Sequence, residues 1–536
     1  MLSKIIEPLR AELSGERALD LVSAITRYHR IQASPGFRAA AEFARERLES
    51  FGLKAELLSF PAEYGTRYWS LNMFPEWEAD RGKLALIEPE ERPLADYGEC
   101  QLALIQRSGP AGLETELILL EDGEELEEYE GLDLQGKAVL TKGDIRRVYE
   151  LAVERYGAAG IVFDGLRELP IRQRLDLPDA RQYSSFWWSG DERGCFGFVL
   201  TPREGERLRK LFKEGKPVKI RAEVESRSWD GKLEVVSALI PGELPEEALV
   251  IAHLCHPKPS ANDNASGAAA LLEAARALQR LIEQGKLKRP RRGIRFLLVP
   301  EMTGTIAYLA THEDAISRMI AGINLDMVGE EQEKCGSSLL IDRLPGAAPG
   351  FVEGLVRRLR EEFTQELQGF TGRGGFSTFR YGEVPFSGGS DHYILADPTV
   401  GVPTVMLIQW PDRFYHTSLD TLDKVSPKML QVVGSLAASS AYFVATAGGR
   451  EARWLAAELL AQLKSELLRL FQQRLEEALA ADDEEQVRRI AAKLAREGEY
   501  MAGQGAKTLA SLKRLAPLEL AVEQRDLADF AARELG

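Results

Sequence analysis

Residues 248–267 constrain this chain more than any other part of its sequence. Residues 248–252 read Ala-Leu-Val-Ile-Ala, an apolar run that predicts a buried strand, and His253 follows it directly. His256 and Asp263 come shortly afterwards, so two imidazoles and one carboxylate follow a single strand end. Imidazole and carboxylate groups in such a place commonly bind a transition metal. Taken alone, the segment is equally compatible with a strand that ends in an ordinary polar loop.

Three later segments repeat this design. Each predicts a strand that leads to a residue able to bind a metal or transfer a proton, namely Glu301, Asp326 and His416. Residues 235–447 alternate predicted strands with helices, which predicts an α/β fold with a mostly parallel central sheet flanked by helices. Functional sites in such sheets collect beyond the carboxyl ends of the strands. We therefore expect the polar residues of the four segments to meet at one edge of the sheet.

The order of these residues resembles the bacterial two-zinc aminopeptidase family, which also contains the glutamate carboxypeptidase II and transferrin-receptor ectodomains. The resemblance covers about residues 14–447, most of the chain. It rests on four segments, 261–267, 324–327, 390–393 and 415–423, of which the last is the most specific. The resemblance implies the zinc-peptidase fold and removal of the N-terminal residue from a peptide.

The resemblance also implies a role for each site residue. The metal ligands would be His253, Asp263, Asp326 and His416, with Asp263 able to bridge two ions through its two oxygens. Glu301 would be the general base, taking a proton from metal-activated water and passing it to the leaving amine.

Two further residues are implied outside the ligand set. Asp391, in the segment 390–393, is the candidate partner that orients a ligand histidine. Tyr381 is the candidate hydrogen-bond donor to the oxyanion, with Tyr393 as the alternative.

Two positions depart from the family pattern. The family has an aspartate that orients the first histidine where this chain has Cys255, and a metal-binding glutamate where it has Met302. A thioether is a poor substitute for a carboxylate on zinc. The sequence therefore predicts one tightly bound zinc and a second ion that is weak or absent, unless His256 supplies the missing ligand.

These departures leave three functions open. The first is a zinc-dependent aminopeptidase, a metallopeptidase acting on peptides with a free N-terminus. The second is a catalytically inactive, peptidase-like binding or scaffold protein. The third is a zinc hydrolase or acyltransferase that acts on another amide. Glu301 and His416 favour the first function, whereas Cys255 and Met302 leave room for the second.

Composition limits the partners of the protein. The 536 residues include 68 Lys and Arg against 83 Asp and Glu, a net charge of −15, which argues against nucleic-acid binding. We find no apolar run long enough for a membrane span and no signal peptide at the N-terminus. The 4 cysteines follow no paired pattern. These features predict a cytoplasmic protein with free thiols.

The length of the chain predicts more than one domain. Residues 1–79 and 231–447 would form the catalytic domain, and residues 80–230, rich in short strands, resemble the protease-associated domain inserted in this family. Residues 448–536 shift to a helical composition and predict a C-terminal helical domain. Its leucine stripe, which includes Leu459 and Leu467, predicts either packing within the chain or a homo-oligomer seam.

Overall fold

The structure of the protein is a computed structural model that describes residues 1–187, 194–364, 367–368, 375–376 and 379–535. The helices, α1 to α15, span Ser3–Glu12, Gly15–Ile25, Pro35–Ser50, Ile145–Val148, Pro202–Lys213, Gly267–Glu283, Thr303–Thr311, Glu313–Ile316, Gln332–Cys335, Phe351–Thr364, His392–Ala396, Pro427–Thr446, Gly449–Leu479, Glu484–Ala510 and Ala521–Leu535. The strands, β1 to β19, span Lys54–Ala62, Arg67–Tyr68, Leu71–Asn72, Glu76–Glu88, Arg92–Asp96, Ala111–Leu119, Ala138–Thr141, Gly160–Phe163, Phe196–Val199, Lys219–Trp229, Gly231–Ile240, Glu247–His253, Gly293–Val299, Met319–Asp326, Ser338–Asp342, Leu367–Gln368, Gly375–Phe376, Tyr381–Val384 and Thr404–Trp410.

An eight-stranded sheet carries the predicted site. Its strand order is β1-β11-β13-β12-β14-β19-β15-β18, and the four central strands β13, β12, β14 and β19 run parallel. The sheet as a whole is mixed, which differs from the mostly parallel sheet that the sequence predicts. Strand β11 pairs antiparallel to both β1 and β13, and β15 pairs antiparallel to β19 but parallel to β18. One reason is that β11 leads into β12 through residues 241–246 without a helical crossover, and a short connection reverses the strand direction.

Two helices bury the central sheet on one side. In α6, an alanine- and leucine-rich helix, nearly every residue from Gly267 to Leu278 is buried. Helix α12 begins at Pro427, where the Ser426 side chain accepts the backbone N–H of Met429 as a cap. By length and composition α12 is the single described helix that could cross a membrane, but 89% of its most apolar stretch is buried inside the protein. Its apolar character is therefore explained by its place in the core.

A second sheet occupies Glu76 to Trp229, so β4 crosses position 80, the predicted start of the inserted segment. Its seven strands run in the order β5-β4-β10-β6-β7-β8-β9. A loop from this part of the chain packs on the segment that contains His416. The buried guanidinium of Arg172 donates to the carbonyl oxygens of Arg413 and Tyr415, at 2.9 and 3.0 Å. The second sheet therefore supplies part of the surroundings of the candidate site.

The three C-terminal helices α13, α14 and α15 share the hydrophobic core of the central sheet. Leu459 and Leu467 of the predicted leucine stripe are both buried within the chain. Leu459 packs where Gly354 of α10 has no side chain, since a Cβ there would lie 2.2 Å from Leu459 Cδ2. Leu459 and Leu467 therefore serve intrachain packing. A homo-oligomer through these helices stays a prediction.

This packing predicts an unequal effect of two identical substitutions on α13. Leu459 is 2% exposed, and Leu459→Ala should lower the free energy of unfolding by about 2–5 kcal/mol because it leaves a cavity. Leu468 is 42% exposed, and Leu468→Ala should change that free energy by less than about 0.5 kcal/mol. Thermal denaturation of the two variants tests this difference. Equal losses would contradict the proposed packing.

Candidate metal centre

Six residues predicted from the sequence meet at the carboxyl ends of the central strands. His253 ends β12, Asp326 ends β14, and Glu301 follows β13. The other three, His256, Asp263 and His416, lie on loops beyond these strand ends. Two groups of three residues share Asp263, and a further group joins His253, His256 and Glu301 with Cys255; the ligand atoms within each group lie within 4.8 Å of one another.

The first group contains His253, Asp263 and Asp326. His253 Nε2 lies 3.2 Å from Asp326 Oδ1 and 3.5 Å from Asp263 Oδ1, and all three residues are buried. The other ring nitrogen, Nδ1, lies 2.9 Å from the backbone oxygen of Cys255 and donates to it. Cys255 therefore orients the histidine with its carbonyl, which replaces the aspartate expected at this position. One imidazole and two carboxylates suit zinc.

The second group contains His256, Asp263 and His416. His256 Nδ1 lies 3.1 Å from Asp263 Oδ1, and His416 Nε2 lies 3.0 Å from Asp263 Oδ2. The 3.1 Å contact does not have hydrogen-bond geometry, since His256 Nδ1 has no hydrogen-bond partner. Such a contact is expected between two metal-ligand atoms that face the same cation. The structure thus places His256 with His416, the residue that the resemblance pairs with the missing carboxylate ligand.

Asp263 takes part in both groups because the surrounding loop is tightly bonded. The side chain of Asn264 donates to the backbone oxygens of His253 and Leu325, at 3.2 and 2.8 Å. Asp420 accepts the backbone N–H groups of Asn262 and Asp263, at 2.8 and 3.0 Å. Asp420 therefore ties the Asp263 loop to the segment that contains His416, without itself facing the two groups.

We expect Asp420→Asn to weaken zinc binding by about 10- to 100-fold, the usual cost of losing a residue that supports a ligand. An asparagine can accept only one of the two N–H bonds, and its NH₂ group would oppose the other. Competition with a chromogenic zinc chelator measures the loss. The matched control is Asp423→Asn, an exposed carboxylate on the same segment. Equal zinc affinity in both variants would contradict the supporting role of Asp420.

Glu301 lies beside both groups. Its Oε2 is 3.5 Å from His256 Nε2, its side chain is 20% exposed, and its backbone N–H points to Cys255 Sγ at 3.3 Å. Burial raises the pKa of Glu301 to about 7, although the two neighbouring histidines oppose this. A carboxylate with a pKa near neutral and an open side toward a cleft has the properties of a general base.

Three non-glycine residues at the site have left-handed backbone conformations. The φ angles are +57° at Met302, +53° at Met327 and +54° at His416. Each costs on the order of 1–3 kcal/mol, and such strain is concentrated at functional sites. Met302 and Met327 directly follow Glu301 and Asp326, so the strain lies where chemically important side chains must be aimed.

Asp391 and Tyr381 differ from their predicted roles. Asp391 accepts the backbone N–H of Met302 at 2.7 Å and the hydroxyl of Thr305 at 2.6 Å, so it supports the turn after Glu301. Its described hydrogen bonds do not include a ligand histidine. Tyr381 is 43% exposed and packs under the Arg360 guanidinium, with 4.8 Å between them. It begins β18, whereas Val384 at the other end of that strand lines the cleft, so Tyr381 does not line the cleft in this structure.

Two tyrosines reach the site instead. The ring of Tyr183 lies 5.1 Å from those of both His256 and His416, and its backbone N–H donates to the His416 oxygen. Tyr415 stacks on the His416 ring at 3.8 Å. Burial raises the pKa of both phenols, which keeps them protonated. Tyr183 belongs to the part of the chain that carries the second sheet, in an arginine- and aromatic-rich stretch, residues 172–188, whose composition is compatible with a place beside substrate.

An open cleft of about 460 Å³ adjoins the candidate metal residues. Five of them line it: His256, Asp263, Glu301, Asp326 and His416. The remaining wall is largely apolar, with Arg167 as its single basic residue apart from the histidines, among the described residues. The cleft can therefore hold a small peptide-like ligand against the candidate metal site.

Comparison with known proteins agrees with this geometry. Residues 235–441 match the model of peptidase family M28. The chain is 28% identical over 207 residues to a Clostridium acetobutylicum protein described as a polysaccharide biosynthesis protein with an aminopeptidase-like domain, covering 37% of this chain and 40% of that one. It is 26% identical over 320 residues to aminopeptidase YwaD of Bacillus subtilis, covering 58% and 63%. The chain thus spans less than two thirds of the length of either relative.

Solved structures share the fold. BSAP, a zinc aminopeptidase from Bacillus subtilis, superposes with a TM-score of 0.58 at 19% identity, over 81% of this chain and 96% of BSAP. A peptidase M28 precursor from Shewanella amazonensis superposes with a TM-score of 0.60 at 20% identity, over 83% and 97%. At these identities the likeness establishes a common fold.

Proposed function

We propose that this protein, whose residues 235–441 match peptidase family M28, is a zinc-dependent aminopeptidase that removes the N-terminal residue of peptides. One observation carries this proposal. Two groups of zinc-type donor atoms share Asp263, and Glu301 lies beside them at an open cleft. Peptide hydrolysis needs both an activated water and a group that accepts and returns its proton.

The residues divide this work. Zinc, when bound, would lower the pKa of a coordinated water and polarise the substrate carbonyl. His253 and Asp326 would hold one ion together with Asp263, and His256 and His416 would hold another with the same carboxylate. Glu301 would accept the water proton and deliver it to the leaving amine.

We further propose two zinc ions per chain rather than one. The support is His256, which lies with Asp263 and His416 in one group of candidate ligands, the group to which the resemblance would assign the missing carboxylate. An imidazole is a good zinc ligand, unlike the thioether of Met302.

The cellular setting is also a proposal. Cys100, Cys255 and Cys335 carry free thiols, which supports a reducing compartment such as the cytoplasm. The excess of acidic residues supports peptides, rather than nucleic acids, as partners.

A metal and substrate panel tests the function. Purified protein is stripped with a chelator, reloaded with zinc, and assayed with aminoacyl p-nitroanilides, with an N-acetylated p-nitroanilide and with a peptide blocked at its N-terminus. Zinc-dependent release from free N-termini alone is expected. Cleavage of the blocked substrates would favour a hydrolase acting on other amides, and zinc binding without any hydrolysis would favour a binding or scaffold protein.

A further inference from the structure

The cleft extends beyond the candidate metal residues over one face of the central sheet. Its floor is formed by side chains that alternate along β15 and β19, together with the end of β18. The apolar floor residues are Leu340, Val384, Met406, Ile408 and Trp410. One carboxylate, that of Asp342, interrupts this apolar surface at the end of β15.

The strand register gives the position of Asp342 relative to the metal site. Asp326 and Leu340 both lie opposite Ile408, whereas Asp342 lies opposite Met406, which precedes Ile408 by two residues in β19. Two strand spacings and two residues separate Asp342 from Asp326, a distance on the order of 12 Å. A long side chain on a residue held at the metal site can cover this distance.

Asp342 is buried, yet its charge has no strong partner. It is 1% exposed, and it accepts the backbone N–H of Ser387 at 3.0 Å and the Ser387 hydroxyl. His392 Nε2 lies 3.5 Å away but donates to the Ser387 carbonyl at 2.9 Å. Among the described residues, no lysine or arginine forms an ion pair with Asp342. A buried carboxylate without a lysine or arginine partner is costly, which favours a cationic ligand.

The one arginine of the cleft lies at its other end. The guanidinium of Arg167 lies 5.6 Å from the ring of Tyr415, which contacts Trp410 at 5.1 Å. Trp410 is four residues along β19 from Met406, about 13 Å. Arg167 therefore neither neutralises Asp342 nor repels a cation beside it.

We propose that Asp342 binds the cationic end of a lysine or arginine side chain on the N-terminal residue of the substrate. This specificity rests on the proposed aminopeptidase function. The methylene stem of the side chain would lie on Leu340, Met406 and Ile408, as long basic side chains commonly do on apolar surfaces. A shorter apolar side chain would shield Asp342 from water without pairing its charge, so it would bind less well.

Lysine and norleucine form the matched pair of probes, because they share the same stem and differ in the terminal amine. We would measure kcat/KM for their p-nitroanilides and Kd for their hydroxamates, with the zinc-loaded full-length protein. The wild type should favour lysine over norleucine by at least about tenfold in both measurements. Asp342→Asn should reduce each ratio by at least about tenfold, and Asp314→Asn, at an exposed carboxylate on α8, should leave each ratio unchanged.

The outcomes separate this proposal from the function on which it rests. Hydrolysis of both substrates with a wild-type ratio near one, or a ratio that survives in Asp342→Asn, would overturn the assignment of Asp342 and leave the aminopeptidase intact. If Asp342→Asn lowered kcat/KM for the lysine and norleucine substrates by the same factor, Asp342 would only anchor the Ser387 loop. If the wild type cleaves neither substrate but binds the lysine hydroxamate more tightly than the norleucine hydroxamate, the proposed aminopeptidase activity is wrong and the proposed role of Asp342 stands. Should Asp342→Asn fail to fold, the wild-type ratios decide.

Discussion

Glu301→Gln should lower kcat for aminoacyl substrates by about 100- to 10,000-fold, the usual contribution of a general base. The amide keeps the size of the side chain but cannot accept a proton. Glu301 belongs to neither group that shares Asp263, so zinc content should be unchanged. The loss should appear in kcat more than in KM, because proton transfer occurs in the transition state.

Two controls make this result specific. Zinc per chain is measured by elemental analysis on the same samples, and Glu333→Gln, at an exposed carboxylate that pairs with Arg380, should keep full activity. If Glu301→Gln retained most of its activity, another group would be the base. If it lost zinc, Glu301 would instead be a ligand.

Asp263→Ala should abolish binding of both zinc ions, whereas His256→Ala and His416→Ala should each remove one. Asp263 faces His253 with one oxygen and His416 with the other, so its loss opens both groups. His256 and His416 belong to the second group, and the first stays complete without them. Mass spectrometry of the native protein after dialysis against a mild chelator counts the ions directly.

The same count tests the role of His256. Two tightly held ions in His256→Ala would mean that another residue fills the second site. One ion in the wild type would mean that His256 does not replace the missing carboxylate, which is the outcome the sequence predicts by default. Two ions in the wild type and one in each of His256→Ala and His416→Ala would support the exchange of a glutamate for an imidazole at this position.

Much of the site could be predicted because its residues follow strand ends. An apolar run of five to eight residues that leads to a histidine or carboxylate indicates both a buried strand and the end at which its polar residue lies. His253, Glu301 and Asp326 illustrate this, and adjacent parallel strands bring them together. The contacts of Asp391 and Tyr381 are harder to predict from sequence, because they depend on a loop and on which end of β18 faces the cleft.

The sequence by itself predicted the α/β class, the resemblance to a peptidase family and the residues able to bind a metal, because these depend on local periodicity and on the chemical types of side chains. Only the tertiary structure decided which of them meet. It brought His256 to Asp263, replaced an orienting aspartate by the Cys255 carbonyl, and carried Tyr183 from the second sheet to His416. The contact of Tyr183 joins distant parts of the chain. The other two depend on the backbone conformation of the loop after β12, which the side-chain pattern of that segment does not encode.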